Sequence, residues 1–222
     1  MNRISAALIV AAAASTAMAD TSALGLLFPF DSNNTSGWTQ SMGRNDDGSS
    51  ANIALGFDFC FYEQTQTSVF INNNGNLSFG GPVSSFTPTG FPIGTPMIAP
   101  FWADVDTRNT NTGPNNTNLV WHKFVDTNGD LADDTLVVTW DGVGVFPNNN
   151  AEFNTFQVAI SGIRNAFGGP NGLGGLNAAF SFGDMNWSVG TASGGAAATV
   201  GINEGTGALR FDQIGRFDHH GT

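Results

Sequence analysis

Two carboxylates that lie two positions apart are the residues of this sequence best suited to chemistry. Asp104 and Asp106 follow an apolar run that ends in Trp102. In an extended segment, side chains two positions apart point to the same face, so the pair could bind Ca²⁺ or act as an acid/base pair. The alternative is a structural segment whose carboxylates cap turns and pair with Arg108. We weigh this structural alternative above a metal site, and a metal site above catalysis.

A second acidic segment covers residues 126–134. Its candidate ligands for Ca²⁺ are Asp126, Asn128, Asp130 and Asp134. Their spacing is similar to that of a calcium loop, but Gly129 stands at the fourth position instead of the sixth, and Val137 stands where an EF-hand has Glu. An EF-hand is therefore excluded. Ca²⁺ bound in another geometry and a solvated acidic hairpin loop are the two interpretations left open.

Sequence motifs of common enzymes are missing. The chain has no Gly-x-Ser-x-Gly elbow and no His-Glu-x-x-His helix, and its one cysteine excludes a paired-cysteine metal site. The glycine-rich residues 168–175 are not followed by the Lys-Ser/Thr pair of a phosphate-binding loop. We predict that the protein is not an enzyme.

Residues 1–19 have the layout of a secretory signal. Arg3 precedes an apolar run, and the small residues Ala17 and Ala19 match a signal-peptidase site before Asp20. After this segment, no stretch approaches the ~20 apolar residues that a membrane helix needs. We therefore predict an exported protein, secreted or held at the cell surface, without a membrane span.

Charge and cysteine content limit the kinds of partner and bond. Seven basic against eighteen acidic residues give a formal net charge of −11, which argues against nucleic acid and anionic membrane surfaces as partners. Cys60 is the only cysteine, so no disulfide can form within the chain. We expect Cys60 to be a buried strand residue, and the alternative is a thiol that couples two chains.

Alternation of apolar and polar residues predicts strands along most of the chain. Large apolar side chains occupy every second position of residues 53–61, which is the period of a strand with one buried face. Further candidate strands are 119–125, 135–140, 155–161, 178–183 and 199–203. Short strands between turns predict an all-β fold, an antiparallel β-sandwich or barrel-like domain with little helix and with long surface loops that include residues 109–118 and 168–175.

A hairpin is predicted around Asn74-Gly75. A two-residue loop would pair Asn72 with Leu77, whereas a three-residue loop with Gly75 in the left-handed conformation pairs Ile71 with Leu77. Because the second register keeps apolar side chains on one face, we predict the longer loop.

Residues 96–108 read Pro-Met-Ile-Ala-Pro-Phe-Trp-Ala-Asp-Val-Asp-Thr-Arg. This segment strongly resembles the signature of the nidogen-like (NIDO) domain family. Its signature residues are Pro96, Ile98, Ala99, Pro100, Phe101, Trp102, Asp104, Asp106 and Arg108. Other pieces of the family pattern stand in the family's order at residues 45–48 and 69–79 upstream, and at 137–140, 154–158 and 198–203 downstream. The resemblance covers most of the chain, from residue 45 to residue 205.

The resemblance implies an extracellular β-rich domain that is associated with cell-matrix adhesion and has no established enzymatic activity. It also implies a likeness to the bacterial versions that consist of a signal peptide and little besides this domain. The chain then divides into a signal peptide (1–19), an N-terminal segment of the β domain (20–44), the nidogen-like domain (45–206) and a C-terminal segment (207–222). We expect this last segment to be truncated, because it lacks the sorting tail of bacterial relatives.

The combined prediction is an exported, non-catalytic adhesion or recognition module that binds an extracellular protein or glycan, and stabilisation of its acidic loops by Ca²⁺ is left open. The alternative is a carbohydrate-binding, lectin-like protein or a carbohydrate-active β-sandwich. Exposed aromatic rings would favour this alternative, but Trp102, Trp140 and Trp187 lie in or beside candidate strands. We therefore expect these rings to pack in the core.

Overall fold

The computed structural model describes residues 10–11, 25–113, 115–163, 166–167, 177–206 and 210–216. These residues form thirteen strands and no helix. The strands are β1 (Val10–Ala11), β2 (Thr39–Gln40), β3 (Ile53–Phe61), β4 (Gln64–Asn72), β5 (Asn76–Ser78), β6 (Met97–Trp102), β7 (Val105–Asp106), β8 (Leu119–Val125), β9 (Thr135–Val145), β10 (Asn149–Ser161), β11 (Ala178–Met185), β12 (Thr199–Asn203) and β13 (Phe211–Arg216). Among the described residues there is accordingly no helix that could cross a membrane.

The strands form two sheets that pack face to face. The seven-stranded sheet has the order β1-β11-β10-β9-β8-β2, with β7 paired to β9, and the six-stranded sheet has the order β13-β12-β6-β5-β4-β3. Neighbouring strands are antiparallel, except that β1 runs parallel to β11. Both sheets end in edge strands, so the predicted all-β sandwich is confirmed and the barrel-like alternative is not.

Aromatic side chains fill the space between the two sheets. Trp140 of β9 stacks on Phe156 of β10 with ring centroids 5.0 Å apart. Phe101 of β6, in the other sheet, lies 5.2 Å from Phe156 and 5.3 Å from Trp187. Trp102, Trp140 and Trp187 are all buried, which confirms the expectation that they belong to the core.

Strand β3 confirms the predicted alternation and corrects one residue. Leu55, Phe59 and Phe61 are buried, and the other two apolar residues of the series pack against the core. Cys60 lies between two of these positions and is exposed, so the expectation that it is buried is wrong. The reason is the period of two, which turns Cys60 to the outer face when Phe59 and Phe61 point inward.

The β4–β5 hairpin has the predicted three-residue loop. Ile71 pairs with Leu77 and Asn72 pairs with Asn76. Gly75 has a φ of +77°, the left-handed conformation that glycine adopts without steric penalty.

Several elements differ from the predicted bounds. Strand β9 continues five residues beyond the predicted end at Trp140, past Gly142 with its φ of +55°. Strand β13 pairs with β12 although no strand was predicted there. The described residues of 109–118, which are all but residue 114, contain no strand, as predicted, but Asn116 and Asn118 are buried, so this loop is only partly a surface loop. The predicted loop at 168–175 lies outside the described residues.

Candidate functional site

The chain bends sharply between β6 and β7, and this bend positions Asp104. The β4–β5 hairpin loop packs against the bend: the Ala103 N–H donates to the Asn74 carbonyl at 3.1 Å, and the Val105 N–H donates to Asn74 Oδ1 at 2.9 Å. Gly75 completes the contact, because a Cβ at this position would lie 1.8 Å from the Phe101 carbonyl oxygen. The asparagine-rich loop thus holds the backbone on both sides of Asp104.

The same hairpin loop also holds residues 45–48. The Asn73 N–H donates to the Gly48 carbonyl at 2.9 Å. The Asn73 side chain donates to the carbonyl of Asp46 at 2.5 Å and to that of Val105 at 2.7 Å. The Asn74 side chain donates to Asp47 Oδ1 at 2.8 Å. The buried amides of the hairpin therefore bring a distant segment of the chain to the β6–β7 bend.

Asp46, Asp47 and Asp104 meet at this place, which we call the acidic corner. Each offers a carboxylate oxygen, and these oxygens lie within 4.8 Å of one another. Asp104 is only 2% exposed, and its Oδ2 has no hydrogen-bond partner. Asp46 Oδ1 is likewise buried without a partner. The acidic corner therefore concentrates negative charge with incomplete hydrogen bonding.

The surroundings disfavour the ionised form of two of these carboxylates. Burial raises the pKa of Asp46 to about 6, and the negative charge of Asp106 adds to this rise. Burial also raises the pKa of Asp104 to about 6, with a further contribution from Asp46, while a hydrogen bond from the Ala192 N–H acts in the opposite direction. Ionising the acidic corner therefore costs free energy in the metal-free protein.

Asp106 has a different environment and is neutralised by Arg108. Its carboxylate accepts hydrogen bonds from the Arg108 guanidinium and from the backbone N–H groups of Arg108 and Asn148. Burial alone would raise the pKa of Asp106, but these hydrogen bonds outweigh it and lower the pKa. Arg108 also lies 3.1 Å from Asp46 Oδ2, so one guanidinium joins both carboxylates.

Asp104 and Asp106 are therefore not the shared-face pair that extended spacing would produce. Residues 103 and 104 lie between two strands and outside both. The bend places Asp104 beside Asp46 and Asp47, whereas Asp106 is bound to Arg108. The predicted pairing of a carboxylate with Arg108 is thus found at Asp106. Metal binding by Asp104 remains a prediction.

The second predicted segment, residues 126–134, forms a loop closed by its own side chains. Asp126 accepts hydrogen bonds from the N–H groups of Asn128, Gly129 and Leu131. The bond from Leu131, followed by that from Gly129, lowers the pKa of Asp126. Asp134 accepts hydrogen bonds from the backbone and the hydroxyl group of Thr127. These contacts are those of an acidic turn, and calcium binding by this loop stays a prediction.

Asp46, Asp47 and the two asparagines that hold them were not among the predicted site residues. Residues 45–48 and 73–75 were predicted as pieces of the family pattern, and residues 73–75 also as a turn, but neither was predicted as part of a site. The available signal was an unusually polar hairpin loop between two apolar strands, Asn72-Asn73-Asn74-Gly75-Asn76. Buried amides in such a loop need partners elsewhere in the chain.

The elements that build the acidic corner lie largely within one region that is shared with known proteins. The model of the family described as the nidogen-like domain matches residues 67–219, which is more than half of the chain and includes the hairpin, β6 and β7. The chain belongs to the nidogen-like domain family. This confirms the resemblance that was drawn from residues 96–108.

Curated relatives of this nidogen-like domain are much longer proteins. Alpha-tectorin of Mus musculus is 33% identical over 189 residues, which are 78% of this chain and 8% of the relative. Alpha-tectorin of Gallus gallus is 31% identical over 192 residues, or 80% of this chain and 8% of the relative. Nidogen of Drosophila melanogaster is 29% identical over 114 residues, or 45% of this chain. The chain thus spans about 8% of the length of these relatives, and no solved structure matches it significantly.

Proposed function

We propose that this protein is an exported, non-catalytic recognition module of the extracellular-matrix type, which adheres to an extracellular protein or glycan. The observation that carries the proposal is the match of residues 67–219 to the nidogen-like domain. Relatives named alpha-tectorin and nidogen support it, because they contain the same domain as a small part of a long chain. Such a domain acts by presenting a surface to a partner.

The described polar groups support binding in preference to catalysis. In the acidic corner, the amides of Asn73 and Asn74 and the guanidinium of Arg108 hold backbone and carboxylates in place. His122 of β8 contacts the Ser41 hydroxyl at 3.0 Å, and its pKa is lowered by burial. These contacts stabilise the fold and occupy these amide, guanidinium and imidazole groups.

The aromatic rings that would support the carbohydrate-binding alternative are buried. Trp102, Trp140 and Trp187 are each at most 5% exposed, so their rings cannot stack on a sugar. A lectin built on this sandwich would need another aromatic platform or a set of polar loops.

Two further parts of the proposal concern export and calcium. We propose that residues 1–19 are a signal peptide; apart from Val10–Ala11 they lie outside the described residues. We also propose that a divalent cation stabilises the acidic loops. The excess of eighteen acidic over seven basic residues supports this part, and so do the unpartnered oxygens of Asp46 and Asp104.

The test is a binding experiment with the full chain exported from a host cell. The purified protein is immobilised and exposed to a panel of matrix proteins and to a glycan array, with heat-unfolded protein as the control. We expect saturable binding that requires the folded domain. Binding to neither panel would contradict the proposal.

A parallel assay for reducing ends released from polysaccharides tests the non-catalytic part. We expect no release above the level of the unfolded control. Release that is lost in Asp104→Asn would contradict this part and favour a glycosidase, since a carboxylate is the usual acid in that reaction.

A further inference from the structure

We propose that the acidic corner is a binding site for a hard divalent cation, with Ca²⁺ as the best match, held by carboxylate oxygens of Asp46, Asp47 and Asp104. This inference rests on the calcium part of the proposed function and assigns it to a place. That place differs from the Asp104–Asp106 pair and from the 126–134 loop, which were the sites predicted from spacing.

The unpartnered oxygen of Asp104 is the first argument. Asp104 is 98% buried, its Oδ2 has no hydrogen-bond partner, and the residue contributes a carboxylate oxygen to the acidic corner. A buried carboxylate oxygen without a partner is costly, and native structures satisfy such atoms in nearly all cases. Asp46 Oδ1 is also buried without a hydrogen-bond partner. A cation bound to these carboxylates would supply a partner for carboxylate oxygens that lack one.

The balance of charge is the second argument. Three carboxylates converge in the acidic corner, and the Arg108 guanidinium contacts one of them, Asp46. This guanidinium is shared between Asp46 Oδ2 and the buried carboxylate of Asp106. One guanidinium therefore contacts two of the four carboxylates Asp46, Asp47, Asp104 and Asp106, and a divalent cation would offset most of the remaining charge.

The donor chemistry selects the kind of cation. The acidic corner offers only oxygen, and its described members include neither histidine nor cysteine, which disfavours zinc and copper. Ca²⁺ accepts irregular sets of six to eight oxygens, whereas Mg²⁺ requires near-octahedral geometry and keeps several waters. The acidic corner is assembled from two separate segments of the chain, so its oxygens match the irregular coordination of Ca²⁺ better than the octahedral coordination of Mg²⁺.

The surroundings of Asp104 form a wall that would keep the ion in place. A Cβ at Gly190 would lie 2.1 Å from the Asp104 Cβ, so the turn that begins at Gly190 packs directly against this side chain. The Ser193 N–H donates to the Gly190 carbonyl at 3.1 Å and closes the turn. A bound cation would thus tie residues 45–48 to the β6–β7 bend, next to this turn.

The experiment measures Ca²⁺ binding by isothermal titration of the full chain, together with thermal unfolding in EGTA and in millimolar Ca²⁺. The variants are Asp104→Asn and Asp46→Asn, which keep the side-chain shape and remove a charge. Asp126→Asn is the matched control, because it makes the same change in the exposed 126–134 loop. Asp47→Asn is the reserve variant, since Asp47 is less buried than Asp104.

We expect one Ca²⁺ per chain, a melting temperature raised by Ca²⁺, and at least tenfold weaker binding in Asp104→Asn and Asp46→Asn. Asp126→Asn should bind as the wild type does. In EGTA, Asp104→Asn should melt no lower than the wild type, because it relieves repulsion among carboxylates. This result would separate loss of a ligand from loss of the fold.

Two results would overturn the inference. If Asp126→Asn abolishes binding while Asp104→Asn and Asp46→Asn retain it, calcium stabilisation stands but the site is in the 126–134 loop. If the wild-type chain binds no Ca²⁺, both the acidic-corner site and the calcium part fail. The recognition function is tested separately, by partner binding in EGTA.

Discussion

At the scale of single residues, Asp104 and Asp106 differ because their neighbours differ. Both are buried. Asp106 is paired with Arg108 and accepts two backbone N–H groups, so its negative charge is compensated within the fold. Asp104 lies beside Asp46 and Asp47, and one backbone N–H, that of Ala192, favours its ionised form, so its charge is less well compensated than that of Asp106. Asp106 therefore has a structural role, and a ligand role is proposed only for Asp104.

The Asp106–Arg108 pair gives a prediction at this scale. Asp106→Asn should lower the free energy of unfolding by about 2 kcal/mol, because charge-assisted hydrogen bonds are lost from a buried group while Arg108 is partly exposed. Urea unfolding at pH 7 in EGTA would measure the change. In a double-mutant cycle with Arg108→Met, the two losses should be less than additive. Additive losses would mean that the pair does not couple.

At the scale of elements, the β4–β5 hairpin organises the acidic corner. Its loop holds residues 45–48 through Asn73 and holds the β6–β7 bend through Asn74. The loop can do this because it approaches β6 closely, and the close approach depends on Gly75. The hairpin therefore links two parts of the chain that are not neighbours in sequence.

Gly75→Ala tests this role of the hairpin. The alanine would have to adopt the positive φ of this position, and its Cβ would collide with the Phe101 carbonyl. We therefore expect the free energy of unfolding to fall by more than about 4 kcal/mol, or the variant to fail to fold. Gly129→Ala is the control, because Gly129 has a φ of +84° but open space around its Cβ. It should cost about 1 kcal/mol. Equal losses in urea unfolding would show that backbone conformation, and not the contact with β6, makes Gly75 necessary.

At the scale of the whole molecule, the two sheets are held together by an extended apolar core in which large aromatic side chains meet. Phe101 belongs to the six-stranded sheet and contacts Phe156 of the seven-stranded sheet. The same strand leads directly into the bend that carries Asp104. Core packing between the sheets and the geometry of the acidic corner therefore depend on one segment of chain.

Phe101→Ala should destabilise the sandwich by about 3–5 kcal/mol, because it leaves a cavity between the sheets. Phe86→Ala removes the same atoms from a position that is 37% exposed, and it should cost less than about 1 kcal/mol. Urea unfolding of both variants measures the difference. A Phe101 variant as stable as the Phe86 variant would contradict the assignment of Phe101 to the contact between the sheets.

The sequence by itself determined most of the local structure and the family. The alternation in β3 and the loop length of the β4–β5 hairpin were predictable, because side-chain period and turn geometry depend on residues adjacent in the chain. The segment 96–108 was sufficient to identify the nidogen-like domain, which the match over residues 67–219 confirms. Strand β13 was missed because its sequence, Phe-Asp-Gln-Ile-Gly-Arg, shows little apolar alternation.

Only the tertiary structure decided which acidic residues meet. Spacing favoured Asp104 with Asp106, but the bend after β6 separates them, and buried amides of the hairpin loop bring Asp46 and Asp47 to Asp104 instead. No local pattern encodes this meeting, because it depends on how a loop of one strand pair packs against the end of another strand. Charge content is a property of the sequence, whereas the convergence of these charges requires the packed sandwich.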